Sequence, residues 1–286
     1  MDAFDASERG EKIASDHLGA VEETLMIPLR GRAVEQRRRR PLLRDPKAEA
    51  IVAAIDYDFE KFDGPSLRGA TWRTRLYDRL VRRWMDDHPG ATVVELGCGL
   101  NTRFERVDDG RVRWRDLDVP DVIAIWRRFF EETERRRAIA SSAFEEGWMD
   151  ALAEEVDGPV LFVSEASTLY FSADQNRDLY RSLGARFPGS QAIFDTANGA
   201  FVANQDRHDA LRHCTARVSW AVEDRDELAA WGLEVLERFP LVRPPLWLRR
   251  EAPLYYRGLS WLMAVLRSAL LDTYQINRVR LGSSPA

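Results

Sequence analysis

The 286-residue sequence predicts an α/β fold built on a mostly parallel sheet. Three observations predict it. The segment 159–167, PVLFVSEAS, carries a continuous apolar run, VLFV, which suits a central parallel strand covered on both faces. Elements follow the order helix, strand, strand, helix, strand, helix, strand, as crossover units do. A run of β-formers at 91–96, ATVVEL, leads straight into GCG, and glycines at a strand exit make a sharp turn that a ligand can approach.

The elements can be justified in order. Residues 1–18 are polar and are expected to be flexible. The stretch 20–58 mixes apolar positions with arginines, and the run Arg37 to Arg40 before Pro41 reads as a solvated helix end and turn, with a phosphate or substrate patch as the alternative. Asp45 and Pro46 are a cap and a first-turn proline, opening a helix to about Ile55. Trp72, Leu76, Leu80, Val81 and Trp84 recur at helical spacing in 71–87, and HPG ends that helix. ATVVEL is the first strand, and GRVRWRDLDVP holds a second that ends near Asp118. Pro120 and Asp121 open a helix, DVIAIWRRFFEETERRR, with Val122, Ile125, Trp126, Phe129 and Phe130 on one side.

After PVLFVSEAS come a helix in SADQNRDLYRSLGARF and a strand in SQAIFDTAN. RVSWAVE alternates at Val218, Trp220 and Val222, as a strand or an ordered loop would. Asp224 and Glu227 have capping-box spacing, and Gly232 is expected to stop the helix they open. The proline- and aromatic-rich PPLWLRREAPLYYRG is expected to be a loop, GLSWLMAVLRSALLD a helix and TYQINRVRL a last strand. The expected organisation is a flexible segment 1–18 and one domain over 19–286. Within that domain, 19–88 forms a helical cover and 89–286 an α/β core with lid insertions.

Composition excludes several classes. The 42 basic and 47 acidic residues give a formal charge of -5, without the basic footprint of nucleic-acid binding. Two cysteines, Cys98 and Cys214, do not make a disulfide scaffold. No run of 18 uncharged apolar residues predicts a membrane span, so a soluble cytoplasmic protein is expected. The spacings of zinc sites, CxxC and HExxH, are missing, so no metal is expected.

The chemistry centres on TVVELGCGLNTR at 92–103. Glu95 sits near the carboxyl end of the first strand, and Gly97 and Gly99 clear side chains from the turn, whose backbone N–H groups can face a polar ligand. Asp118, 21 residues after Gly97, ends the second strand, where an acid can accept both ribose hydroxyls of a nucleoside. Asp116 is its competitor, two residues earlier and on the same face of a regular strand. The run GCGLNT has Thr102 where the dinucleotide fingerprint has its third glycine. A single nucleoside cofactor without a pyrophosphate fits better, and S-adenosylmethionine is the candidate. The alternatives are an NAD-dependent oxidoreductase on a similar sheet and a non-catalytic protein that kept the fold.

Longer stretches carry a resemblance. IPLRGRAVEQRR at 27–38 with LLRDPKA at 42–48, WRTRLYD at 72–78, VVELGCGLNTRFERVD at 93–108, VRWRDLDVPDVI at 112–123, RRAIASSAFEEGWMD at 136–150 and GPVLFVSEASTLYF at 158–171 resemble the leucine carboxyl methyltransferase family, in particular its bacterial branch of polyketide O-methyltransferases of the tetracenomycin type. The resemblance spans roughly 20–215. It implies a class I methyltransferase fold, with seven strands, the last antiparallel, and S-adenosylmethionine as methyl donor to an oxygen, often of a carboxylate. It also implies that Arg73 meets the cofactor carboxylate and that Arg32 comes from the segment covering the cofactor. Gly97 and Gly99 would form the cofactor turn and Asp118 would hold the ribose. Ser142 and Ala143 would lie beside the adenine and Glu165 near the methionine end. The family's EGVLMYL is EASTLYF here, so Ala166, Ser167 and Thr168 replace GVL at a segment facing the active site.

Methyl transfer to oxygen is an in-line displacement that depends mostly on proximity and orientation. A carboxylate needs no base near neutrality, whereas a phenol does. Only four histidines are present, which favours a carboxylate acceptor. Candidate acceptor-side residues are Tyr170, His208 and Arg249, with Arg243, Arg250 and Arg257 as further arginines able to hold a carboxylate. The aromatics at 247–261 can line a pocket for a flat substrate or simply complete the core. The expected partner is a small carboxylate or phenol, and the expected assembly a monomer or homodimer.

Overall fold

A computed structural model describes residues 13–14, 22–258 and 273–282. The apolar helix expected from 259 onward, Trp261 included, and the start of the chain apart from Ile13–Ala14 lie outside the described residues. The sheet has seven strands: β1 (Thr92–Leu96), β2 (Arg113–Asp118), β3 (Arg136–Ala140), β4 (Val160–Ser164), β5 (Gln191–Ala197), β6 (Glu234–Pro240) and β7 (Tyr274–Arg280). Their spatial order is β3-β2-β1-β4-β5-β7-β6. The pairs among the first five strands are parallel, and β7 runs antiparallel to both β5 and β6. From β1 the chain moves outward to β2 and β3, then returns to place β4 on the other side. That reversal opens a crevice at the carboxyl ends of β1 and β4, where such sheets bind ligands.

The central strands are uniformly buried because helices cover both faces. Neighbouring side chains on a strand point to opposite faces. Val93, Leu161, Val163 and Ile193 pack with Leu76, Leu80, Val81 and Trp84 of α3 (Ser66–Asp87). Val94, Leu96, Phe162 and Phe194 face the other way, toward Ile123 and Trp126 of α5 (Pro120–Trp126), Met149 and Leu152 of α6 (Glu146–Glu155), and Leu179 and Leu183 of α7 (Ala173–Arg186). The helix expected at 71–87 thus starts one turn earlier. Ahead of it, α1 (Met26–Gln36) and α2 (Pro46–Ala54) join the second of these clusters through Met26, Leu29, Ala48 and Ile51. Asp45 caps α2, accepting from the Ala48 amide at 3.0 Å. A short α4 (Arg103–Val107) follows the glycine turn.

Two expectations are corrected, and one strand appears where none was expected. The helix from Asp121 ends at Trp126, and RRAIA at 136–140 is the strand β3. Its first residue, Arg136, is buried: it donates to Asp116 at 2.6 Å and Glu105 at 2.8 Å and lies over the Trp126 and Phe130 rings. A strand whose inward residue is an arginine carries no apolar signal. GLEVLERFP gave no clear expectation, yet it forms the edge strand β6, where Glu234 and Glu237 pair with Arg280 and Arg278 of β7. Charged residues suit an edge. The expected loop after Pro244 contains a helix, α10 (Leu246–Glu251), with Pro245 as its N-cap. After β5 comes the short α8 (Gly199–Asn204), and RVSWAVE is an ordered loop joined to β5 by a bridge between Ala221 and Ala197. Both halves of the Asp224–Glu227 capping box form at α9 (Arg225–Ala229).

No helix among the described residues is long and apolar enough to cross a membrane.

Candidate active site

A cavity of about 980 Å³ opens at the carboxyl ends of the central strands. That is at the upper end of the roughly 300–1,000 Å³ usual for small-molecule sites. Its floor is the glycine turn. Gly97 (φ 65°) and Gly99 (φ 52°) both adopt left-handed backbone that only glycine takes without strain. A Cβ on Gly97 would fall 2.0 Å from Ser167 Oγ, and one on Gly99 would fall 3.1 Å from Leu25 Cβ. Space and conformation therefore both demand glycine here.

Asp118 stands at the cavity, its two oxygens accepting from the Gly99 amide at 2.7 Å and the Val119 amide at 2.8 Å. It is half-buried. Asp116 is fully buried and committed to Arg136 and the Trp114 indole. The structure thus separates the two acids by depth: one locks β2 to β3, and the other faces the ligand space. An acceptor carboxylate beside left-handed glycines, at the mouth of a parallel sheet, fits a nucleoside without a pyrophosphate.

Beneath and beside the turn lies a buried network of charges. Arg103 has no solvent exposure and meets three carboxylates: Asp78 at 3.3 Å, Glu95 at 3.2 Å and Glu165 in a short contact. Arg106 binds Asp78 at 2.7 Å and Asp45 at 3.1 Å. Asp45 also holds Arg32 at 2.9 Å, and Arg32 donates to the Leu100 carbonyl at 2.9 Å. Arg73 donates to Glu165 at 3.0 Å and to the Tyr274 hydroxyl at 2.9 Å, and that hydroxyl donates to Asp195 at 2.6 Å. Burial works against ionised Glu165, but Arg103 and Arg73 outweigh it and hold the carboxyl at about 2. For Asp195 burial prevails and pushes the carboxyl up to about 6, although Arg73, Tyr274 and Tyr77 favour its ionised form. Burial likewise pushes Glu95 up to about 7 against Arg103, and its Oε2 has no hydrogen-bond partner among the described residues.

Of the residues singled out in the sequence, Arg32, Arg73, Gly97, Gly99, Asp118, Ser142, Glu165, Tyr170 and His208 line the cavity together. Six others do not reach it. Glu95 points into the network and holds Asn101 at 2.6 Å and Arg103, so it braces the turn from behind. Ala143 lies beside Ser142 but off the cavity lining, packed against the core, with its carbonyl taking the Trp148 indole N–H at 3.4 Å. Arg249 and Arg250 sit on α10, and these two, Arg243 and Arg257 are all away from the lining. The cavity arginines with no acidic partner among the described residues are Arg68 and Arg207, both exposed at its edge. Burial holds the Tyr170 phenol at about 12, so it stays protonated near neutrality.

Residues that carry the network but had no expected role are Arg103, Asp78, Tyr77, Asp195 and Tyr274. Arg103 was visible inside GCGLNTR and Tyr77 and Asp78 inside WRTRLYD, but no spacing rule links them. Among the described residues no cluster of histidine, cysteine, aspartate and glutamate could hold a metal ion.

The leucine carboxyl methyltransferase family model matches residues 26–184. The chain is 31% identical over 233 residues to the tetracenomycin polyketide synthesis O-methyltransferase TcmP of Streptomyces glaucescens, covering 80% of this chain and 86% of that protein. The chain belongs to the leucine carboxyl methyltransferase family. Its members' cofactor is S-adenosylmethionine, and this methyltransferase is a S-adenosylmethionine-dependent enzyme. It is also 27% identical to the S-adenosyl-L-methionine-dependent methyltransferase dpfgK of Gibberella zeae, over 77% of this chain and 82% of that one. A DUF574 family protein from Streptomyces avermitilis shares the fold, with a TM-score of 0.54 at 14% identity over 82% of this chain and 95% of that one. Family membership sets aside the oxidoreductase and non-catalytic readings.

Proposed function

We propose that this methyltransferase transfers a methyl group to a carboxylate oxygen of a small, aromatic, polyketide-like molecule. In this reading Gly97, Gly99 and Asp118 hold the nucleoside, with Ser142 beside its base. Arg32 on α1 and Arg73 on α3 meet its amino-acid tail, near Glu165. S-adenosylmethionine bound there supplies a methyl group already activated by its sulfonium. The chain's own residues then orient the acceptor and exclude water, which is most of what an in-line displacement needs.

The observation that carries the carboxylate is the pair of cavity arginines with no acidic partner among the described residues. Arg68 and Arg207 border a cavity whose other walls include Trp72, Phe171, Phe201 and Tyr256. Apolar walls with cations at the edge favour a flat anion. A phenol would need a base, and the Tyr170 phenol, held at about 12, does not serve as one near neutrality. The test uses 3-hydroxy-2-naphthoate, which offers both oxygens, with methyl-labelled S-adenosylmethionine. A methyl ester releases labelled methanol in mild alkali, and an aryl ether does not. Alkali-stable label refutes the carboxylate reading. Asp118→Ala is expected to weaken S-adenosylhomocysteine binding by about 1–3 kcal/mol, the worth of a hydrogen-bonded charged acceptor. An unchanged calorimetric titration would remove Asp118 from the ribose.

A further inference from the structure

His208 lines the acceptor side of the cavity, just after the short helical turn Gln205–Arg207. Its Nδ1 accepts from two backbone amides, Ala210 at 3.3 Å and Leu211 at 3.2 Å. A ring nitrogen that accepts N–H groups carries no proton, so the neutral imidazole has its hydrogen on Nε2. Burial lowers the affinity of this ring for a second proton; the Asp209 carboxylate, 3.6 Å from Nδ1, opposes that, and the Arg73 charge adds to it. Asp209 also accepts from the Ser66 amide at 3.0 Å. Nε2 has no partner among the described residues, and the ring stands edge-on to Phe201, 6.0 Å between centroids.

A histidine in this state is a poor base toward the cavity. Taking a proton at Nε2 from the neutral form would require the hydrogen to sit on Nδ1 first. Two amide N–H groups would then face an N–H, and both bonds would be lost.

We propose that His208 offers its Nε2–H as a hydrogen-bond donor to the carboxylate oxygen that is not methylated, and so sets which oxygen faces the methyl group. This rests on the carboxylate reading above. Together with Arg68 and Arg207 it gives the acceptor side three donors for an anion, and His208 is the member with a fixed direction.

The test has two arms, both on the full chain saturated with S-adenosylhomocysteine. Long-range proton–nitrogen NMR reads the tautomer directly; with four histidines in the chain, the His208 signals are assigned by their loss in the variants. The Nε2–H form is expected without any acceptor, and its resonance moves when 2-naphthoate is added. The second arm measures 2-naphthoate affinity in His208→Asn and His208→Gln. Asparagine places an oxygen near the Nδ1 position and keeps the two amide bonds, but offers no donor at the reach of Nε2. Glutamine places an N–H at that reach and gives up the amide bonds. Binding is expected to fall at least about tenfold in His208→Asn and to stay within about threefold in His208→Gln, with S-adenosylhomocysteine affinity unchanged in both. A purely structural role gives the opposite order and overturns the proposal, as does an Nδ1–H tautomer. If wild type binds 2-naphthol but not 2-naphthoate while the Nε2–H tautomer is found, the carboxylate reading falls and takes this acceptor assignment with it; an Nδ1–H tautomer with 2-naphthoate still bound sinks the donor role alone.

Discussion

Replacing Gly97 by alanine separates the two reasons for a glycine at the cavity floor. The first is conformational: a left-handed backbone at φ 65° costs an L-residue about 1–2 kcal/mol. The second is spatial: the new methyl would lie 2.0 Å from Ser167 Oγ and 2.6 Å from its Cβ. Ser167 must shift, at roughly the 1–3 kcal/mol of other overpacking substitutions. Against both stands a stiffer unfolded chain, worth about 0.4–1 kcal/mol to the alanine variant. The net expected loss is about 1–5 kcal/mol in urea unfolding. Ser167→Gly removes both clashing atoms, so in the Gly97→Ala background it should recover the spatial part and leave the conformational part. A double-mutant cycle reads that coupling. A coupling below about 0.5 kcal/mol, the scatter of independent sites, would refute the close approach of Ser167 to the turn.

Three further outcomes are expected. Arg103→Met removes the cation shared by Asp78, Glu95 and Glu165 and is expected to cost about 3–5 kcal/mol, seen as a large drop in calorimetric midpoint; a loss under about 1 kcal/mol would mean the network is not stabilising. Glu165, at about 2 when folded, lies below its unfolded value near 4.3. Its contribution, about 3 kcal/mol, is complete above the unfolded value and is lost as pH falls toward the folded one. The unfolding free-energy gap between wild type and Glu165→Gln should therefore be level down to about pH 5 and narrow below it, and a gap that widens in acid would contradict the assignment. Ala166 holds φ 57° without being glycine, at the position where the family pattern has one. Ala166→Gly relieves about 1–2 kcal/mol of strain and loses roughly 0.5–1 to chain entropy, so a gain of up to about 1.5 kcal/mol is expected in urea, and destabilisation would argue against strain there.

The layered sheet was legible because its central strands are buried on both faces and written in unbroken apolar letters, as VLFV is. The glycine turn and Asp118 were legible because a strand exit constrains residue type locally. Charge hid the rest. RRAIA reads as the tail of a charged helix until Arg136 is seen to reach Asp116 and two aromatic rings. Glu95 looked like a ligand-facing acid because its strand position is right; only the fold reveals Asn101 and Arg103 behind it. Arg249 was placed near the acceptor by its aromatic neighbourhood in sequence, while the arginines at the cavity edge without an acidic partner among the described residues, Arg68 and Arg207, come from the start of α3 and from the segment after β5. Long-range pairing of opposite charges leaves no periodicity to read.

The ion pairs that join the N-terminal helices to the core limit how this enzyme can be rebuilt. A cut after residue 88 would strip Asp45 and Asp78 from Arg106, Asp78 from Arg103, and Arg73 from Glu165. Transplanting a different leading segment to change acceptor choice therefore has to deliver two acids and one guanidinium at matching depths. Shape alone will not make such a chimera fold.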